Sequence, residues 1–460
     1  MKVLKRNGQL EELSVDKLNA VVIAATEGLT ANPSDIIMNA KLQLFDGIKT
    51  TKIHELLVKS AIDLISAQTP DYQFAAARLF SFFTRKQVFG TYKAELFPTV
   101  KELVESNIER KFYDKTLLDK WTPTQWEKIN KMVNHDNDEK LSIASYMKLY
   151  DTYLIKDRET EYVYETPQFA FIVVSLALYD TLDEVKGHYK QLVSRKISWP
   201  TPIMAGMRTP TKQYASCTLI ETKDDLDSLY ATNHAIGRFV SRKAGIGTKM
   251  NFRALGDPIR GGEATHTGNI GFLKSIQNSV KAVSQGGLRE GSATVTYDIF
   301  HPEIMDILVL KNNKGTDDTR VKQLDYCIRL SKLFINRMTK GQTISLFSEY
   351  YAPELSKTFG APEFDELYLK CEADKSIKRT EVNGKDLLTS LILERIQTGR
   401  IYIQFADNVN GDYNAFKENI SMTNLCVEIV LPTKPFTDVN KDDGEIALCM
   451  LAGYNLEHVN

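Results

Sequence analysis

Between Met422 and Pro435 the chain places Asn424, Cys426 and Glu428 at alternate positions, with Leu425, Val427 and Ile429 between them. In extended backbone, residues at i, i+2 and i+4 share a side, so this spacing sets a carboxamide, a thiol and a carboxylate on one face and apolar groups on the other. An amide, a thiol and a carboxylate would then share one small space. The spacing equally describes an edge strand with a polar outer face. Four more cysteines (Cys217, Cys327, Cys371 and Cys449) bring the total to an odd five, widely spread and without a C-x-x-C pair. That pattern argues against a secreted disulfide framework and against a structural zinc site. Reduced thiols of this kind either pack or do chemistry.

The elements that must position these groups lie in a 460-residue chain that is 43% hydrophobic and 10% aromatic, enough for about two to four globular units. Lysine plus arginine (58) balances aspartate plus glutamate (59), so no global positive field would hold a nucleic acid polymer. The start, Met1 to Gly8, lacks the apolar run of a signal peptide, and no stretch long enough to span a membrane occurs, so a soluble, cytoplasmic protein without membrane contact is expected. Val3–Arg6 and Gln9–Leu13 read as a hairpin whose Asn7-Gly8 turn supplies positive φ angles. Ser14 can cap a helix over about 15 to 28, and helical spacing recurs over about 52 to 67, 71 to 88, 140 to 155 and 166 to 195. After Pro202, short apolar runs such as Cys217–Ile220, Thr343–Phe347 and Arg400–Gln404 alternate with helices and glycine-bearing loops, predicting an α/β sheet or barrel.

The stretch around Cys426 resembles the finger loop of ribonucleotide reductase large subunits. The likeness continues, in family order, through Pro200–Met204, Ser216–Glu221, Lys243–Gly247, Pro258–Glu263, Ser284–Gly287 and Gly444–Cys449. It is nearest to the class I enterobacterial and T-even-phage type. The implied fold is α/β: an ATP-cone over 1–90, a helical domain over 91–213, and over 214–460 the first half of a ten-stranded α/β barrel with its finger loop. The resemblance implies that Cys426 becomes a transient thiyl radical and abstracts the ribose 3′ hydrogen. Glu428 would act as general base toward the 3′-hydroxyl, and Asn424 would hold the ribose hydroxyls. Cys217 and Cys449 match the pair that is oxidised to a disulfide to supply two electrons. Thr201, Ser216 and Gly245 match substrate-contacting positions, and Arg289 the loop that reports effector identity to the substrate. Cys327 and Cys371 match no family role and are read as packing or surface residues.

Two effector sites are implied for ATP, dATP and other deoxynucleoside triphosphates. In the ATP-cone, Lys5, Arg6 and Lys17 offer charge to phosphates, and Glu11, Thr50, His54 and Lys86 match other contacts. Ser14 stands where the enterobacterial type has asparagine, which leaves inhibition by dATP open. A second site, choosing the substrate base, would use Asp224, Asp225, Leu226, Arg253 and Arg260, with His266 nearby. No metal is expected on this chain, the metal-radical cofactor belonging to the small subunit. Expected partners are a second copy of the large subunit, the radical-generating small subunit, thioredoxin or glutaredoxin, and a separate polypeptide carrying the rest of the barrel. Rival readings are a catalytically dead nucleotide-binding regulator and an adenosylcobalamin-dependent reductase.

Overall fold

The structure, a computed structural model, describes residues 1–250, 252–284, 290–411 and 414–458. It divides into two compact units: Met1–Tyr214 with the chain from Ala452 on, and Ala215–Leu451. Among the described residues no helix is long and apolar enough to cross a membrane.

The first unit opens with β1 (Lys2–Leu4) and β2 (Leu10–Glu12), antiparallel, followed by α1 (Val15–Thr26), α2 (Pro33–Lys41), β3 (Ile48–Lys49), α3 (Thr50–Asp63) and α4 (Tyr72–Phe89). β3 pairs parallel with β1, closing a three-stranded sheet. The hairpin differs from expectation in one respect. Gly8 alone takes positive φ (82°), and bonds from Lys5 N–H to the Gln9 carbonyl (2.8 Å) and Gly8 N–H to the Lys5 carbonyl (3.0 Å) make a three-residue turn. Ser14 caps α1 as predicted, accepting from Lys17 N–H at 3.2 Å. Leu18, Val22, Ile53, Leu57 and Leu79 project from these helices into one core. Helix α2 was not anticipated, although Asn32 at its cap and Pro33 in its first turn are start signals.

Beyond α4 the unit is helical, but the two long helices expected there are broken. One is an α-helix over Ile143–Lys148 that loosens into a π-helical turn over Leu149–Tyr153. The other splits into Pro167–Leu178 and Leu182–Val193. The second of these starts where Thr181 caps the next turn by accepting from Glu184 N–H.

The second unit is built on β4 (Cys217–Glu221), α5 (Leu226–Val240), β5 (Gly245–Lys249), α6 (Ile270–Ala282), β6 (Ala293–Asp298), β7 (Asp325–Leu330), β8 (Ile401–Phe405) and β9 (Ala447–Cys449). These strands form one six-stranded sheet in the order β8-β7-β6-β5-β4-β9. The first five are mutually parallel, and β9 runs antiparallel to β4. Thr343–Leu346, expected as part of the barrel, pairs instead with Thr380–Asn383 in a separate two-stranded ribbon.

The two faces of the sheet differ in chemistry. Ile220, Ile246, Val295, Tyr297, Ile328 and Ile401 belong to the main apolar core. The alternating positions include Cys217, Gly247, Lys249, Thr294, Asp298, Cys327 and Arg329, and all of these are buried too. Parallel sheets usually bury apolar side chains on both faces. Burying Lys249, Asp298 and Arg329 costs free energy unless they are paired, so the polar face marks where function is to be sought.

Candidate active site

The chain from Ile420 to Thr433 lies against this polar face and is tied to four of its strands. At its entry, the Asn410 carboxamide accepts from Ile420 N–H (2.7 Å) and donates to the Ile420 carbonyl (3.0 Å). Arg329 donates to the same carbonyl (2.9 Å) while pairing with Asp298 (3.0 Å), which also faces Lys249 at 3.6 Å. One oxygen of Glu221 accepts from the Ser421 hydroxyl (2.7 Å) and the other from Thr433 (2.8 Å). Thr294 donates to the Leu425 carbonyl (2.6 Å). At Gly247 the loop comes closest: a Cβ there would lie 2.0 Å from the Thr423 carbonyl oxygen and 2.6 Å from Asn424 Cα. Glu221 and Gly247 lie within segments that resemble the family, but the resemblance assigns neither a role. Only the Gly-x-Gly spacing of Gly245 and Gly247 hinted at a close approach.

The loop is not the extended strand that alternate spacing suggested. Val427 has φ 67°, and its N–H reaches back to the Asn424 carbonyl at 3.3 Å, making a tight turn. Asn424 is fully buried, and its Oδ1 accepts from the N–H groups of both Glu428 and Ile429 at 3.0 Å. A short carboxamide that can satisfy two backbone donors in this way favours a turn over a ladder. Asn424 therefore leaves the shared face, whereas Cys426 and Glu428 are both exposed. Its Nδ2 is buried with no partner among the described residues, a donor whose burial is costly until an acceptor arrives.

Cys217 and Cys449 stand directly opposite each other across the antiparallel β4–β9 pair. Facing residues in such a pair have Cβ atoms about 4.5–5.5 Å apart, next to the range from which a disulfide can close. Both thiols are free and buried. Burial pushes the Cys449 thiol above its usual range, and the neighbouring Cys217 and the Glu428 carboxylate raise it further against a lowering hydrogen bond from Ser216. Ser216 also donates to the Cys449 carbonyl (3.1 Å), and Gly245 N–H donates to the Ser216 carbonyl (2.8 Å), so both expected substrate-contacting residues border the thiol pair. Cys327 is fully buried, its thiol pushed by burial to about 12, and Cys371 is buried in the helix-side core. Thr201 begins a short helix in the other unit, and Arg289 lies outside the described residues. Among the described residues no group of three or more His, Cys, Asp or Glu side chains could hold a metal ion.

Residues 215–460 match the family model described as the ribonucleotide reductase barrel domain, residues 139–212 the ribonucleotide reductase all-alpha domain, and residues 1–87 the ATP cone domain. The chain belongs to the ribonucleotide reductase large-subunit family. It is 44% identical to the ribonucleoside-diphosphate reductase subunit alpha of Haemophilus influenzae, over 99% of this chain and 61% of that protein. It is 43% identical to the ribonucleoside-diphosphate reductase 1 subunit alpha of Escherichia coli over 95% of this chain and 58% of the relative. The subunit alpha of phage T4 is 38% identical over 99% of this chain and 61% of its own length. The chain thus spans about three fifths of these relatives, and the likeness to the class I enterobacterial and phage type holds.

In the ATP cone of this chain the expected nucleotide contacts fall in two adjoining cavities that share Lys5 and Thr50. The smaller, about 160 Å³, is lined by Glu11, Ser14, Lys17 and His54 as well. The larger, about 570 Å³, adds Arg6, Lys49 and Lys86, the cation set a polyphosphate needs. Lys49 was not singled out in the sequence. Lys5 pairs with Glu11 at 3.2 Å. His54 donates from Nε2 to the Leu79 carbonyl (2.6 Å), and burial drops its pKa to about 4, so at neutral pH the ring is uncharged.

The second expected effector cluster is gathered only in part. Arg253 pairs with Asp224 (3.0 Å), also donates to the Pro258 carbonyl (2.6 Å) and lies over Tyr350. Burial raises the Asp224 carboxyl, with Arg253 opposing. Asp225 caps α5 by accepting from Ser228 N–H (2.7 Å), so its carboxylate already has a structural task. Leu226 and Arg260 are exposed. His266 is buried, accepts from Gly268 N–H (3.1 Å) and stacks on Phe272.

Proposed function

We propose that this chain carries the radical and reducing thiols of a ribonucleoside-diphosphate reductase, converting ribonucleotides to deoxyribonucleotides. The observation that supports the reading above all is the cross-strand pair of Cys217 and Cys449, whose Cys449 thiol feels the Glu428 carboxylate of the loop that also exposes Cys426. A thiyl radical at Cys426 takes the 3′ hydrogen of the substrate, and Glu428 takes the proton of the 3′-hydroxyl. The radical so formed makes loss of the 2′-hydroxyl as water feasible. Cys217 and Cys449 supply two electrons and two protons and become a disulfide, after which the 3′ hydrogen returns from Cys426 and the thiyl is regenerated. The unpartnered Asn424 Nδ2 donates to a ribose hydroxyl, with Thr201, Ser216, Gly245 and Arg289 as further substrate contacts.

On this reading the boundaries lie at 1–90, 91–213 and 214–460, the cone binds ATP or dATP, and Asp224, Asp225, Leu226, Arg253 and Arg260 serve the second effector. The partners are a second large subunit, a radical-generating small subunit that holds the metal, thioredoxin or glutaredoxin as reductant, and a polypeptide carrying the remaining barrel strands. β8 is an edge strand with Phe405 exposed, which supports a further strand there. No observation favours a catalytically dead regulator or a cobalamin-dependent enzyme.

The test is Cys426→Ser in the assembled enzyme, the chain combined with the remaining barrel strands and a small subunit. Reduction of ribonucleoside diphosphates should stop while ATP binding to the cone is retained. Unchanged turnover would refute the assignment.

A further inference from the structure

We propose that Glu221 is a positioning residue that fixes the finger loop in register with the reducing thiols; this rests on the function proposed above. A carboxylate is an acceptor on both oxygens. Here one oxygen takes the hydroxyl of Ser421, on the strand-side stem before Cys426, and the other takes Thr433, on the stem after it. One side chain thereby closes the base of the loop from both sides. Glu221 is the last residue of β4, and Cys217 is the first. The two project from the same face, about 13 Å apart at the rise of a strand. A single strand therefore carries the reducing thiol at one end and the clasp of the hydrogen-abstracting loop at the other. Their separation is set by four residues of extended backbone, not by the long chain between them.

Inside the loop, Asn424 holds the turn and Thr294 holds the Leu425 carbonyl, but neither reaches the stems. Ser421 and Thr433 have hydroxyls that each donate to this one carboxylate. Glutamine spans the same length and keeps one acceptor, and its amide can donate to a hydroxyl that turns round. Leucine keeps the shape and loses both bonds.

The experiment compares Glu221→Leu, Glu221→Gln and the double variant Ser421→Ala/Thr433→Val in the assembled enzyme, with Cys426→Ser as the control on the underlying reading. A loop displaced by about 1 Å should cost on the order of 10²-fold in kcat. The expected result is that loss for Glu221→Leu with substrate KM and melting temperature unchanged, and recovery to within about tenfold for Glu221→Gln. The double variant should reproduce the loss, and adding Glu221→Leu to it should cost nothing more, because the three groups act as one unit. In the chain by itself, amide exchange at Glu428 and Ile429 should quicken in Glu221→Leu and in the double variant. Wild-type kcat in Glu221→Leu, additive losses, or unaltered exchange in the double variant would overturn the clasp. Turnover by Cys426→Ser would instead bring down the reading of the loop itself.

Discussion

Replacing Gly247 by alanine is the sharpest test of how the loop is seated. The added Cβ would lie 2.0 Å from the Thr423 carbonyl oxygen and 2.6 Å from Asn424 Cα, where ordinary contact begins at 3.4 Å. Both obstacles are backbone, and the loop's stems are pinned at Ile420 and Glu221, so the turn holding Cys426 must retreat by an ångström or more. β5 cannot give way easily, since it is paired on both sides with β4 and β6. Overpacking of this kind costs about 1–3 kcal/mol of stability, and a shift of about 1 Å at reacting groups costs on the order of 10²-fold in rate. The assay is kcat of the assembled enzyme with a thermal melt of the same preparation. Gly187→Ala is the comparison: it sits inside a helix with nothing within 4 Å of its added Cβ, and should leave kcat alone while raising stability by about 0.5–1 kcal/mol. Wild-type kcat and melting temperature in Gly247→Ala would show that the loop is not seated against β5 as described.

Three further outcomes are expected. Asp138 is fully buried, and burial lifts its carboxyl from 3.8 to about 7, with Arg85 opposing. Between those values the folded chain holds a proton that the unfolded chain has lost, so stability falls as pH rises through that window and levels off above it, by up to on the order of 4 kcal/mol. Asp138→Asn keeps the carbonyl that accepts from Gln168 (2.9 Å) but does not titrate, so its urea midpoint should lose this decline, and parallel curves from pH 4.5 to 8.5 would contradict it. Removing the Glu428 charge by Glu428→Gln should lower the raised Cys449 pKa and speed its alkylation a few-fold near pH 8, read peptide by peptide by mass spectrometry; an unchanged rate would separate the two groups. Lys86→Ala should weaken ATP binding to the chain on the order of tenfold by calorimetry, through loss of one charge-assisted phosphate contact; unaltered affinity would put the phosphates elsewhere.

Much of the local structure was legible. Ser14 caps α1 because a hydroxyl before a helical run can accept from its first turn, and the Asn7-Gly8 pair marked the hairpin although only Gly8 takes positive φ. Strands over Cys217–Glu221 and Ile401–Phe405 followed from short apolar runs. The loop at Asn424 was misread for a physical reason: alternate spacing assumes extended backbone, and a carboxamide able to take two backbone N–H donors bends the chain instead. That Asp225 caps α5 was not legible, because an aspartate before a helix suits a cap and a ligand contact alike.

The residue order by itself determined the cysteine inventory, the Asn-x-Cys-x-Glu stretch and the family to which the chain belongs, since these depend only on which side chains follow one another. Only the tertiary structure decided that Cys217 faces Cys449 and that Glu221 reaches both Ser421 and Thr433. Those contacts join segments some two hundred residues apart, and strand pairing, which carries no trace in local spacing, is what brings them together.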